Sequence, residues 1–227
     1  MKLLISNRRY TGSKSALLHE IYDSIKKYHN RKTTFADLFA GTGVVSAFML
    51  EKGMNVIVND TLKSNYVAYK AWLDDKKYDL EKTKEIIDRY NKVDGDKLKD
   101  NYFSKIYGRK YFSISDAKKI GYIRDRIEKE EINEREKSIL LSSLMYATDK
   151  IANTVGHFEH YLSKEPVKKD VILRLPEIII IIKNGITKLY KDNLVRKDNF
   201  KPPALPILFY ISYTSNRKTK IRLFAKR

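Results

Sequence analysis

The sequence predicts an α/β fold in which a parallel sheet with flanking helices is interrupted by one long helical insertion. Three observations predict it. Phe35-Ala36-Asp37-Leu38-Phe39-Ala40 is rich in β-forming residues and passes through Gly41-Thr42-Gly43 into a helix-forming segment, which reads as strand, tight turn, helix. Met54-Asn55-Val56-Ile57-Val58-Asn59-Asp60 reads as a second short strand ending in an acid. From Thr61 to about Thr154 the pattern is helical almost throughout, and β-rich runs return only after Pro166.

Taken in order, Arg8-Arg9-Tyr10-Thr11-Gly12-Ser13-Lys14 leads into a helix whose apolar positions Leu17, Leu18, Ile21, Ile25 and Tyr28 share one face. Gly12 and Ser13 are the predicted turn and helix entry, flanked by Tyr10 and Lys14. Alone, these residues are a capped helix with an exposed aromatic. Ahead of a nucleoside-binding turn, they offer a stacking ring and a cation for a ligand's carboxylate. Gly41 and Gly43 remove the Cβ atoms that would hold such a ligand away, and the next helix begins with free N–H groups aimed at the same place. Asp60 stands nineteen positions after Gly41. Dinucleotide-type folds place an acid about 20 residues on, at the tip of the second strand, to accept ribose hydroxyls. Ser46 occupies the position of the third glycine of that fingerprint. It argues against a pyrophosphate, and so against a pyridine-dinucleotide dehydrogenase, and for a nucleoside ligand without phosphates. S-adenosylmethionine meets that description.

The helical stretch is predicted to hold helices at 62–73, 80–93, 115–129 and 133–151. Asn133 with Glu136 three residues on is a capping arrangement, and Leu140, Leu141, Leu144 and Met145 give the last helix an apolar face. The expected organisation is a core formed by residues 1–62 and 166–213, a helical recognition insertion at 63–165, and a basic, disorder-prone tail at 214–227. Within the insertion Tyr102, Phe103, Tyr107, Arg109, Lys110, Tyr111 and Phe112 interleave aromatics with cations, a mixture that stacks bases and holds phosphates. Helix packing with a solvated face is an equal reading for any one of them. His157 and His160 lie near Asn153 and Glu159 without a third ligand at suitable spacing, so a polar loop is expected there rather than a metal site. Residues 171–175 and 177–182 are β-rich runs divided by Pro176. Residues 186–190 are a further candidate strand, with Asp192 beyond its end.

Composition narrows the function classes. A formal charge of +18, from 46 Lys and Arg against 28 Asp and Glu, suits a polyanionic partner, with nucleic acid foremost; a biased genome composition is the plainer account. Zero cysteines exclude disulfides, thiolate metal sites and a cysteine nucleophile. No apolar run approaches the ~20 residues a spanning helix requires. The first six residues are too short for a signal peptide before basic residues begin. The expectation is a cytoplasmic protein.

Arg9-Tyr10-Thr11-Gly12-Ser13-Lys14, Asp37-Leu38-Phe39-Ala40-Gly41-Thr42-Gly43 and Asn59-Asp60 together resemble the N-terminal motifs of class α DNA adenine-N6 methyltransferases, the group of the Dam and FokI modification enzymes. Tyr111-Phe112-Ser113 with Ile123-Arg124, and Ala152-Asn153-Thr154-Val155-Gly156-His157, resemble the FokI-like branch. The resemblance implies a Rossmann-like, S-adenosylmethionine-dependent methyltransferase core. Tyr10, Lys14 and Asp60 would contact the cofactor, Asp37, Phe39, Gly41 and Gly43 would shape its pocket, and Asp192 would approach its adenine. It also implies a recognition region between the cofactor and catalytic motifs, where Arg109, Lys110 and Tyr111 are the candidate DNA contacts. The expected partners are double-stranded DNA, methylated by a monomer, and a cognate restriction endonuclease.

The family's Asp-Pro-Pro-Tyr motif is absent. Lys201-Pro202-Pro203-Ala204 has the prolines but neither the acid nor the aromatic. After Asp198 there is no acidic residue in 29 positions, while Arg217, Lys218, Lys220, Arg222, Lys226 and Arg227 crowd the end. A reading frame lost or truncated after about Leu194 is the expectation, which would leave an inactive DNA- and cofactor-binding remnant. The alternative is a basic arm whose partner chain supplies the chemistry.

Overall fold

The computed structural model describes residues 4–5, 12–26, 34–155, 158–176, 187–190, 208–213 and 219–224, the last three segments as backbone. The chain divides into two compact units. One comprises Gly12–Asp75 and Ile178–Arg227, the other Met1–Thr11 and Lys76–Glu177.

In the first unit β1 (Thr34–Asp37), β2 (Asn55–Asn59) and β3 (Thr187–Tyr190) form a parallel sheet in the order β1-β2-β3. Phe35 pairs with Val56, and Val56 with Thr187. Phe35, Val56 and Val58 are fully buried, the continuous apolar pattern of strands covered on both faces. α1 (Leu18–Ile25), α2 (Val44–Glu51) and α3 (Lys63–Trp72) accompany the sheet. α1 buries Ile21 and Ile25. Ser13 does not cap it: a short 3-10 turn, Ser15–Leu17, intervenes, with Lys14 before it and no side-chain cap on either. The expected helix face reaches Tyr28, which lies outside the described residues.

α3 groups with this sheet rather than with the helical block. It buries Ala68, Tyr69, Ala71 and Trp72, so the division falls after Asp75 where the sequence suggested 62/63. β4 (Leu208–Tyr213) pairs antiparallel with β5 (Thr219–Phe224) in a separate two-stranded sheet. Residues 219–224 of the expected disordered tail are therefore a strand. Lys220 and Arg222 alternate with Ile221 and Leu223, a period-2 pattern with which strand pairing is compatible.

The second unit is helical: α4 (Leu80–Asn91), α5 (Tyr102–Tyr107), α6 (Ile114–Ile127) and α7 (Glu134–Ile151). Asn133 and Glu136 form the capping box the sequence suggested, with reciprocal bonds of 3.0 and 2.9 Å. Asn101 and Ser104 form another at α5, and Ser113 caps α6. The core gathers Ile86, Ile87 and Tyr90 from α4, Ile120, Ile123 and Ile127 from α6, and Leu140 and Leu144 from α7.

Residues 171–175 are a correction to the sequence reading, because they form no strand and belong to this helical unit. Val171 and Leu173 are buried in its core, so the period-2 alternation is real, but the backbone finds its partners in side chains. The Leu173 N–H donates to Asn91 Oδ1 at 2.7 Å, and Asn91 Nδ2 donates to the Leu173 carbonyl at 3.0 Å. Ser143 Oγ accepts from the Arg174 N–H at 2.8 Å and donates to the Arg174 carbonyl at 2.6 Å. Buried backbone groups need partners, not necessarily a ladder. The expected strand at 177–182 lies outside the described residues. Among those residues no helix is long and apolar enough to cross a membrane.

Candidate cofactor and nucleic-acid sites

Because β1 and β2 are parallel, both end on the same edge of the sheet, where α/β folds place ligands. The chain leaves β1 at Asp37 and turns through Gly41 and Gly43, whose φ values are +56° and +81°. L side chains rarely adopt that region, so the turn requires glycine twice. Gly43 is the N-cap of α2, and no side chain caps the helix.

The turn is tied to the tip of β2. Asp60 Oδ2 accepts from the Gly41 N–H at 2.8 Å, and Oδ1 accepts from the Leu62 N–H at 2.9 Å. The Tyr69 hydroxyl donates to the Gly41 carbonyl at 2.7 Å, so Gly41 is held at both its N–H and its C=O. Asn59 Nδ2 donates to the Leu38 carbonyl at 2.9 Å, and the Ala40 N–H donates to the Asn59 carbonyl at 3.0 Å. Asn59 Oδ1 stays buried with no hydrogen-bond partner among the described residues. Ser46, in place of a third glycine, donates to Asp37 Oδ2 at 2.8 Å.

Asp37 is electrostatically costly. Burial pushes its carboxyl up to about 6, and the negative charge of Asp60 adds to the rise, while Ser46 and the cation of Lys14 oppose it. Two buried carboxyls on adjacent strand ends make a place that a positively charged ligand group relieves.

Of the residues singled out from sequence, Lys14, Asp37, Phe39, Gly41, Gly43 and Asp60 are described in this unit. Phe39 is partly exposed, and the charge of Lys14 reaches Asp37. Tyr10 and Asp192 lie outside the described residues. Tyr69 was not foreseen: it comes from a helix assigned by its pattern to the insertion, and its partner lies 28 positions away. Tyr69→Phe is expected to cost about 1 kcal/mol, the net worth of one hydrogen bond. Urea titration beside the parent reads it; an unchanged midpoint would remove Tyr69 from the clamp.

The helical unit holds the other candidates. Arg109 adopts φ +62° and donates its N–H to the Phe112 carbonyl at 2.7 Å, forming a tight turn that leaves Arg109 and Lys110 exposed. Tyr111 is half-buried; its hydroxyl donates to the Phe158 carbonyl at 3.0 Å, and its ring centroid lies 5.2 Å from that of Tyr161. Tyr102, Tyr107, Phe158 and Tyr161 are exposed, whereas Phe112 is core. Asn153 fixes this arrangement. Its N–H donates to the Tyr111 carbonyl at 2.8 Å, and Nδ2 lies 3.1, 3.1 and 2.9 Å from the carbonyls of Lys110, Leu162 and Lys164. His157 lies outside the described residues. Among those residues no three His, Asp or Glu side chains gather as metal ligands would.

The sequence profile of the D12 class N6 adenine-specific DNA methyltransferases matches residues 10–201. The type II methyltransferase M.CviAII of Paramecium bursaria Chlorella virus 1 is 33% identical over 172 residues, covering 73% of this chain and 52% of that protein. The modification methylase LlaI of Lactococcus lactis subsp. lactis is 33% identical over 190 residues, covering 74% and 29%. The modification methylase StsI of Streptococcus sanguinis is 32% identical over 209 residues, covering 82% and 30%. The chain thus spans about half or less of the length of these curated relatives.

Proposed function

This chain belongs to the D12 class N6 adenine-specific DNA methyltransferases, and from that premise we propose that it uses S-adenosylmethionine to methylate adenine N6 at a short sequence in double-stranded DNA. The observation that carries the reading is the glycine turn braced by Asp60 beside buried Asp37. Its glycine backbone, free of Cβ atoms at 41 and 43, and its paired acids suit a nucleoside that carries positive charge but no phosphate.

The residues fit that cofactor in chemistry. Lone pairs remaining on Asp60 accept ribose hydroxyls, Asp37 answers a cationic group, and Lys14 answers a carboxylate. Gly41 and Gly43 leave room for the nucleoside, with Phe39 at the edge of the turn. Tyr10 and Asp192 complete the set by resemblance. When bound, S-adenosylmethionine supplies an electrophilic methyl on a sulfonium. The Rossmann-like core binds and orients it, and the helical unit, with Arg109, Lys110 and Tyr111, engages the DNA. The setting that follows is a monomeric, cytoplasmic modification enzyme of a type II system, alongside a cognate endonuclease.

A second reading is favoured by the missing Asp-Pro-Pro-Tyr: the chain binds cofactor and DNA without transferring a methyl. Incubation with labelled S-adenosylmethionine and mixed-sequence duplex separates the two. Label in N6-methyladenine supports the first, and cofactor binding without label supports the second.

The site also predicts a pH dependence. The folded-state pKa of Asp37 lies above its ordinary 3.8. Burial of the protonated acid therefore costs nothing extra below that value; stability falls as pH rises toward about 6 and is level beyond. A cationic ligand group stabilises the carboxylate instead, so cofactor affinity is expected to rise about tenfold between pH 5 and 7. Calorimetric titration at several pH values reads this. A flat profile, or one that survives in Asp37→Asn, counts against the assignment.

A further inference from the structure

We propose that the cleft between the C-terminal half of α7 and residues 169–174 seats one phosphodiester of the DNA backbone, through Lys150, Lys169 and Arg174. The inference rests on the DNA-binding reading above, and its residues are distinct from those of the turn at 108–112. The cleft has a volume of about 240 Å³ and is lined by Lys150, Lys169, Asp170 and Arg174, with Tyr146, Ile151 and Ile172 among its apolar members. Asp170 is its one acid, and that charge is already engaged: Lys119 Nζ, on a side chain only 2% exposed, reaches Asp170 Oδ1 at 2.8 Å. Among the described residues no carboxylate pairs with Lys150, Lys169 or Arg174. Three positive charges therefore line one concavity whose single carboxylate is engaged by Lys119.

The cleft is also built in advance. Ser143 Oγ holds both the N–H and the C=O of Arg174. The Lys169 N–H donates to Asp116 Oδ2 at 3.0 Å. Asp170 sits at φ +62°, in the left-handed region that Asp adopts more readily than most residues, and its carboxylate accepts from the buried Lys119. The negative end of the α7 dipole would oppose an anion, but Lys169 Nζ donates to the Ile151 carbonyl in the last turn at 3.3 Å and offsets it. Apolar lining, including Ile172 at 43% exposure, favours a nucleic-acid strand over a free anion, since deoxyribose carbons flank each phosphodiester.

The test is fluorescence anisotropy with mixed-sequence duplex over a range of salt concentrations, using the parent chain, Lys150→Gln, Arg174→Gln and the double variant. Each single substitution is expected to weaken every duplex alike and to reduce the slope of log affinity against log salt by about 1, the double by about 2. Cofactor binding, read on the same samples, stays at the parent value. A parent that binds duplex with a slope neither substitution changes overturns the phosphate seat and leaves the function standing. A parent that binds no duplex overturns both. A second arm acetylates surface lysines with and without duplex, and with inorganic phosphate at matched ionic strength. Duplex alone is expected to shield Lys150 and Lys169; equal shielding by inorganic phosphate would mark a free-anion site and overturn the assignment to DNA.

Discussion

Asp60→Ala is expected to abolish measurable binding of S-adenosylmethionine while the helical unit stays folded. The substitution removes the acceptor for the Gly41 N–H at 2.8 Å and for the Leu62 N–H at 2.9 Å. Gly41 is buried, so its N–H is left without a partner at a cost of about 1–3 kcal/mol, and the turn is freed to move. The same oxygens are those proposed to receive the ribose hydroxyls. Losing brace and acceptor together should lower affinity by at least about 100-fold, since every 1.4 kcal/mol is a factor of ten. Calorimetry reads the affinity and circular dichroism the fold. Retained affinity in a folded variant would exclude Asp60 from the cofactor site, whereas Asp60→Asn, which keeps one acceptor oxygen, should fall between.

Asp170→Ala is expected to destabilise the helical unit by about 4 kcal/mol. It strands the ammonium of Lys119 in the interior with the Asn91 carbonyl, at 3.1 Å, as its remaining described partner. Breaking a buried pair from one side costs about 3 kcal/mol, because the surviving charge has no water. Alanine at φ +62° adds about 1 kcal/mol. Lys119→Met should cost less, since Asp170 is 48% exposed and remains solvated when its partner goes. Denaturant midpoints of the two variants give the order directly; the reverse order would show that the pair contributes nothing through burial.

The parts of this protein legible in its sequence were those set by local chemistry. Gly41 and Gly43 announce positive φ because no other residue meets that demand cheaply. Asn133 and Glu136 announce a helix start three residues apart, and the apolar run ending at Asp60 announces a strand tip. What escaped depends on distant partners. Tyr69 bonds to a carbonyl 28 positions away, and nothing in its own neighbourhood among sixteen tyrosines marks it. Residues 171–175 have the alternation of a strand, yet Asn91 and Ser143 take the place of a neighbouring strand, so periodicity identified the faces but not the partner. Ser46 was legible only as a missing glycine. Its bond to Asp37 shows what the hydroxyl does instead. The strand at 219–224 was hidden by the basic character of the segment around it, although Lys220 and Arg222 alternate with Ile221 and Leu223.

Asn91 and Ser143 have a consequence for how this chain can vary. Each meets the N–H and the C=O of a single residue, Leu173 and Arg174 respectively, so two adjacent residues are docked like consecutive teeth. Outward side chains at 172 and 174 can be exchanged without disturbing that engagement, which uses only backbone, whereas Asp170 is held by its own pairing with Lys119. Adding or deleting one residue between Pro166 and Leu173 would bring the wrong peptides to both docks at once and turn Val171 and Leu173 out of the core. Along this stretch it is the length of the chain, more than its composition, that the fold holds constant.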